Sequence, residues 1–219
     1  MKSVKLLNFP DSHAATTSHP SPTKENHLSD EEKMEIIEER FRDILETLGL
    51  DLEDESIAKT PFRMAKMYVQ EIFSGLKKEN FPSLCFIDEE ACTTSRVILV
   101  KDISLNSFCE HHLVPMTGTA HIAYIPNGKI IGLSKINRIA QYFCKRPQLQ
   151  ERLSAQILDS LSLVLDTEDV AIFTELKHFC VTVRGVSDAS SITNTHILKG
   201  KFEKDPLRNE FLTMTNQSS

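Results

Sequence analysis

The sequence predicts an α+β fold: a helical N-terminal region, then an antiparallel four-stranded sheet with two helices packed on one face. From Arg96 onward the residue patterns run strand, strand, helix, helix, strand, strand. That order suits an antiparallel sheet with its helices gathered on one side. Upstream, apolar residues recur at helical spacing behind capping signals. The composition is that of a globular chain, with 219 residues, 40% hydrophobic and 26% charged.

Residues 1–28 hold Pro10, Pro20 and Pro22 among Ser, Thr, His and Asn, with no apolar period. They read as a disordered tail. Residues 29–95 read as a helical region and 96–219 as the sheet domain. Ser29 and Glu32 fit a capping box, opening a helix to about Leu48 with Gly49 at its C-terminal cap. Thr60-Pro61 opens a second helix, Thr60 capping, that runs to Phe73 and stops at Gly75. Phe81–Ser95 reads as irregular, with Cys85 and Cys92 as packing residues. Val97–Leu105 and Ala120–Ile125 are strands, and Asn127-Gly128 is a hairpin turn returning through Lys129–Leu133. Ser134 caps a helix to Cys144, and Pro147 starts another carrying Leu149, Leu153, Ile157 and Leu161. Val170–Leu176 and Phe179–Arg184 form a second strand pair. Thr193–Phe202 has no clear pattern, and a closing helix begins at Pro206.

With 25 basic against 31 acidic residues the formal charge is −6, which argues against nucleic-acid binding. It leaves room for a phosphorylated ligand held by a local cluster of cations. Lys5 interrupts the apolar run Val4–Phe9, so no secretory signal is read, and no run is long enough for a membrane span. Five cysteines, an odd number, suggest a reducing cytoplasm in which thiols remain available to metal.

The chemistry concentrates at Cys109-Glu110-His111-His112, with a second cluster at His178-Phe179-Cys180. Catalytic zinc takes three protein ligands and keeps one position open, and two Cys with one His is a known set. Cys109, His112 and Cys180 can supply it, since positions i and i+3 let one turn bring two ligands to one ion. His111 and His178 are then left as acids and bases. Lys135, Arg138, Lys145, Arg146, Arg152 and Arg184 concentrate positive charge over a short part of the chain.

Cys109-Glu110-His111-His112, Gly132-Leu133-Ser134-Lys135, Gln150-Glu151-Arg152 and His178-Phe179-Cys180 with Arg184-Gly185 resemble the signature blocks of GTP cyclohydrolase I, in order and spacing. The resemblance covers roughly residues 30 to 213. It implies the tunnelling fold in a ring-shaped homo-oligomer, a homodecamer of two stacked pentameric rings. It implies zinc on Cys109, His112 and Cys180, and a reaction that hydrates C8 of GTP, releases formate and yields dihydroneopterin triphosphate. His178 is then assigned to the purine nitrogen beside C8 and His111 to the ribose side. Glu151 accepts the two donors of the guanine edge, with Gln150 in the same motif. Ser134, Lys135, Arg138, Arg184 and Arg63 hold the triphosphate, and Glu110 orients a ligand or the ribose.

Two rivals remain at this level. A nitrile reductase of queuosine synthesis shares the architecture but works without zinc, and the intact Cys109, His112 and Cys180 set argues against it. A zinc-stabilised binding module has no use for the two spare imidazoles His111 and His178.

Overall fold

The computed structural model describes residues 4–7, 20–88 and 96–216. The N-terminal region opens with strand β1 (Val4–Leu7), inside the segment read as a tail, and then helix α1 (Asp30–Thr47). The capping box forms: the Glu32 N–H donates to Ser29 Oγ at 3.2 Å, and the Ser29 N–H donates to Glu32 Oε2 at 2.7 Å. Gly49 follows with φ +80°. In α2 (Thr60–Lys66) Thr60 is the first helical residue, Lys59 the cap, and no side chain caps the end. The sequence assigned that role to Thr60. The chain continues as a π-helical stretch, Met67–Ile72, before a tight turn at Ser74–Leu76. Gly75 does more than stop a helix: a Cβ there would lie 2.2 Å from the Tyr142 carbonyl oxygen. Its N–H donates to Lys145 O at 2.9 Å, so the turn is fastened to the sheet domain.

Strand β2 (Leu84–Asp88) lies in the stretch read as irregular. Leu84 and Phe86 are buried while Cys85 is half-buried, a two-residue alternation too short to stand out beside Pro82. β2 pairs with β1 on one side and with β5 (Lys129–Ile131) on the other. Cys92 lies outside the described residues.

The main sheet is ordered β6-β3-β4-β7-β8. Here β3 is Ile98–Cys109, β4 Pro115–Tyr124, β6 Pro147–Gln148, β7 Val170–His178 and β8 Thr193–Leu198. Four of these strands are antiparallel neighbours as expected, and β6 adds two residues parallel to β3. The fourth antiparallel strand is β8 and not Phe179–Arg184. The last β4–β7 pair is Met116 with His178, so residues beyond His178 have no partner strand, and Phe179–Thr182 coils into the single turn α5. The Asn127-Gly128 turn exists, Gly128 having φ +74°, but β4 already pairs along both edges. The returning residues therefore join β2.

Helices α3 (Leu133–Cys144) and α4 (Gln150–Leu165) pack on one face through Ile136, Ile139, Phe143, Leu153 and Ile157. They cover Leu105, Met116, Ile122 and Leu176 of the strands. Gly132 caps α3 without a side-chain bond, so Ser134 is not the cap, and Leu149 caps α4 in place of Pro147 starting it. The opposite face carries a smaller cluster in which Ala123, Ile125 and Ala171 meet Phe202 and, from α6 (Leu207–Asn216), Phe211. Among the described residues no helix is long and apolar enough to cross a membrane.

Gly118 sits mid-strand opposite Leu105 and Leu176, where a Cβ would lie 2.0 Å from the Glu175 carbonyl oxygen. Gly118→Ala is expected to destabilise the fold by about 1–3 kcal/mol through forced separation of β4 and β7. A denaturant midpoint equal to that of the unsubstituted protein would contradict this packing.

Candidate metal centre and neighbouring site

β3 and β7 both end, and β4 begins, at one end of the sheet, and α4 starts there as well. Cys109 is the last residue of β3 and is buried. Its N–H donates to Val114 O at 2.9 Å and its carbonyl accepts from the Leu113 N–H at 2.8 Å. The turn closes through Leu113, whose φ of +52° is costly for a branched residue. That turn carries His112 back, so that its Nδ1 lies 4.0 Å from Cys109 Sγ. Cys180 arrives from α5, and the three donor atoms lie within 4.8 Å of one another. Tetrahedral zinc with Zn–S of about 2.3 Å needs donors roughly 3.3–3.8 Å apart, a small contraction of this cluster. Two thiols and an imidazole are also the soft and borderline donors that zinc accepts. Burial, and then the neighbouring Cys109, push the Cys180 thiol up, while the Arg184 charge pulls it back. Cys144 is a contrast: burial pushes its thiol up to about 12, and it is inert packing.

The other predicted residues divide into two groups. His178 ends β7 half-buried, and its Nε2 lies 2.8 Å from Gln150 Oε1. Burial pushes its imidazole below the usual range, partly opposed by the Glu151 carboxylate. Glu151 is exposed in the first turn of α4. Glu110 is paired with Arg152, whose second guanidinium nitrogen is 3.4 Å from the other carboxylate oxygen. His111 is exposed, its Nε2 4.0 Å from Glu110 Oε1. Arg184 follows α5 and is exposed, within reach of Cys180 for its charge to act there.

Ser134, Lys135 and Arg138 are not in this group. The C-terminal end of α3 approaches the site end of β3, where Ser107 Oγ donates to Cys144 O at 2.9 Å. At 1.5 Å per residue Ser134 then lies roughly 15 Å further along the helix, toward the opposite end of the sheet. Arg63 is exposed on α2. Two cations of the basic cluster have other work. Arg146 is buried, its Nε donating to Gly75 O at 2.7 Å and its guanidinium 4.7 Å from the Tyr142 and Phe143 rings. Arg152 serves Glu110.

Sequence reading missed the buried polar set behind His178: Ser154 and Thr174, fully buried and 2.9 Å apart. The available signal was Ser154, one turn after Gln150 on an otherwise apolar helix face.

A Cys-His-Cys donor set at the end of a mixed sheet, flanked by two further imidazoles and a carboxylate, defines a candidate metal centre with acid–base groups beside it. The family model described as GTP cyclohydrolase I matches residues 37–216. The protein named GTP cyclohydrolase 1 from Aliivibrio fischeri strain MJ11 is 54% identical over 194 residues, covering 88% of this chain and 89% of that protein. The one from Aeromonas salmonicida is 54% identical over 193 residues, and the one from Vibrio cholerae 53% over 193, each covering 88% of both chains. The chain belongs to the GTP cyclohydrolase I family and is an enzyme.

The donor geometry generates a redox prediction. A disulfide needs sulfurs about 2.05 Å apart, and the Cys109 and Cys180 sulfurs are already within 4.8 Å. Chelation followed by air is expected to join them, the two thiols giving up two hydrogens to oxygen. Reductant with zinc should restore activity, and zinc alone should not. Peptide mapping that finds both thiols free, or a pairing with Cys85, Cys92 or Cys144, would contradict the shared site.

Proposed function

We propose that this enzyme is a zinc-dependent GTP cyclohydrolase I that converts GTP to 7,8-dihydroneopterin triphosphate and formate, the first step of pterin and folate synthesis in the cytoplasm. The observation that carries the reading is the convergence of Cys109, His112 and Cys180 beside His178, with Glu151 one residue from its partner Gln150. Cys109, His112 and Cys180 would hold the zinc, which supplies hydroxide near neutral pH for the attack on C8.

The remaining work falls to the chain's own groups. The exposed Glu151 carboxylate accepts the N1–H and the exocyclic amine of guanine, a donor pair that adenine lacks. His178 exchanges a proton at the purine nitrogen beside C8 as the ring opens, and His111 serves the ribose carbons as they rearrange and reclose. Arg152 holds the Glu110 carboxylate near His111, a positioning role. Arg184, Arg63, Ser134, Lys135 and Arg138 take the triphosphate. Lys135 and Glu151 lie toward opposite ends of one sheet, so the triphosphate cluster on α3 is assigned to a second copy of the chain. This supports a tunnelling-fold ring, with β6 and β8 as the outer strands available for joining, and two such rings stacked as a homodecamer. The net charge of −6 fits a partner list without nucleic acid.

His112→Ala is expected to lose both zinc and turnover, whereas His178→Ala and His111→Ala keep zinc and GTP affinity but lose turnover on the order of a hundredfold or more. Metal analysis alongside steady-state kinetics checks this, and a fully zinc-loaded, fully active His112→Ala protein would refute the ligand assignment.

Glu151→Gln replaces one acceptor oxygen with a donor group and should weaken GTP binding while leaving zinc in place. A calorimetric titration giving unchanged affinity would remove Glu151 from the guanine contact.

A further inference from the structure

The Gln150 side chain is buried, and its two ends face different partners. Its Nε2 lies 2.9 Å from the Thr193 carbonyl oxygen and 3.3 Å from the Thr174 carbonyl oxygen. Carbonyl oxygens only accept, so the end facing them must be the NH2. Turning the amide over would set its oxygen against two carbonyl oxygens in a buried site, at the cost of unmade hydrogen bonds. Its orientation is therefore fixed, and Oε1 is the atom that meets His178 Nε2 at 2.8 Å. An amide oxygen cannot donate. The hydrogen in that contact has to belong to the imidazole.

We infer that Gln150 is a positioning residue that locks neutral His178 in the Nε2–H tautomer, so that Nδ1 is the atom exchanging protons with substrate. The proposal rests on the acid–base reading of His178. Among the described residues no other hydrogen bond to the His178 ring is made, which leaves the Nδ1 lone pair uncommitted. The exchange balances simply. The Nδ1 lone pair takes a proton from the reacting group, forming N–H, and later returns it, while the Nε2–H stays on Gln150 throughout.

The support behind Gln150 is directional too. Ser154 Oγ donates to the Gln150 carbonyl at 2.9 Å, and Thr174 Oγ donates to the Thr195 carbonyl at 3.3 Å. Two of the acceptors that orient this assembly, the Thr193 and Thr195 carbonyls, come from β8, the edge strand of the sheet. The seating of that edge strand and the tautomer of His178 are thus linked through one amide.

The test is nitrogen-15 solid-state NMR on the zinc-loaded oligomer with labelled histidine, at about pH 8, above the usual imidazole range near 6.5. The His178 signal is the one missing from the His178→Asn spectrum. The proposal predicts a protonated Nε2 and a bare Nδ1. A wild-type ring protonated at Nδ1 overturns it without any Gln150 variant. Gln150→Leu removes the acceptor and should shift the ring toward the other tautomer, with kcat falling on the order of tenfold to a hundredfold, the scale of losing an outer-shell partner. KM for GTP should change little. Gln150→Met also removes the acceptor at similar side-chain volume, so it serves if the Leu variant does not fold. An unchanged tautomer in Gln150→Leu or Gln150→Met counts against the lock. If His178→Ala turns over normally while wild type shows the Nε2–H ring, the lock stands and the acid–base reading of His178 fails.

Discussion

The pairing of β4 with both β3 and β7 governs most of what the molecule does. Phe108 opposite Pro115, and Met116 opposite His178, bring the ends of β3 and β7 to one place. Cys109 and His178 thereby stand at the same end of one sheet although they lie far apart in the chain. Because β4 has no free edge, the Lys129–Ile131 segment joins the smaller sheet. Because β4 ends its register at Met116, the chain after His178 coils and swings Cys180 onto the donor set. α3 starts at the far end for the same reason, and that separates the Ser134-Lys135 block from the metal centre.

Burial sets the character of each group around the site. Gln150, Ser154 and Thr174 are polar side chains in the buried interior, and each has a hydrogen-bond partner there. Such a network is costly if broken and rigid if complete. Cys109 and Cys180 differ from Cys144 in having His112 at hand and in facing one another, so a cation can repay the desolvation of their thiolates. Cys144 is packed within the apolar core, and its carbonyl accepts from Ser107.

Much of this was legible in the sequence wherever chemistry and local pattern agreed. Ser29 and Glu32 announced the first helix, and the spacing of Cys109 and His112 announced one tight turn. The strand propensity of Val181, Thr182 and Val183 lost to the absence of a partner strand, a tertiary fact that no local window holds. Leu84–Asp88 was missed because its alternation is brief, and β8 because its polar residues line an edge. The sequence places Gln150 in a substrate motif, and the structure adds that its side chain turns inward to His178. Charge counting gathered six cations near one ligand, but Arg146 and Arg152 are committed to carbonyl, rings and carboxylate.

The proposed chemistry opens the guanine ring of GTP at C8 with zinc held by Cys109, His112 and Cys180. Incubating the protein with GTP labelled at C8, while varying zinc occupancy, tests it most directly. Labelled formate is expected in step with a pterin triphosphate, both rising in proportion to bound zinc. Label retained in the nucleotide, or equal turnover by protein stripped of zinc, would contradict it.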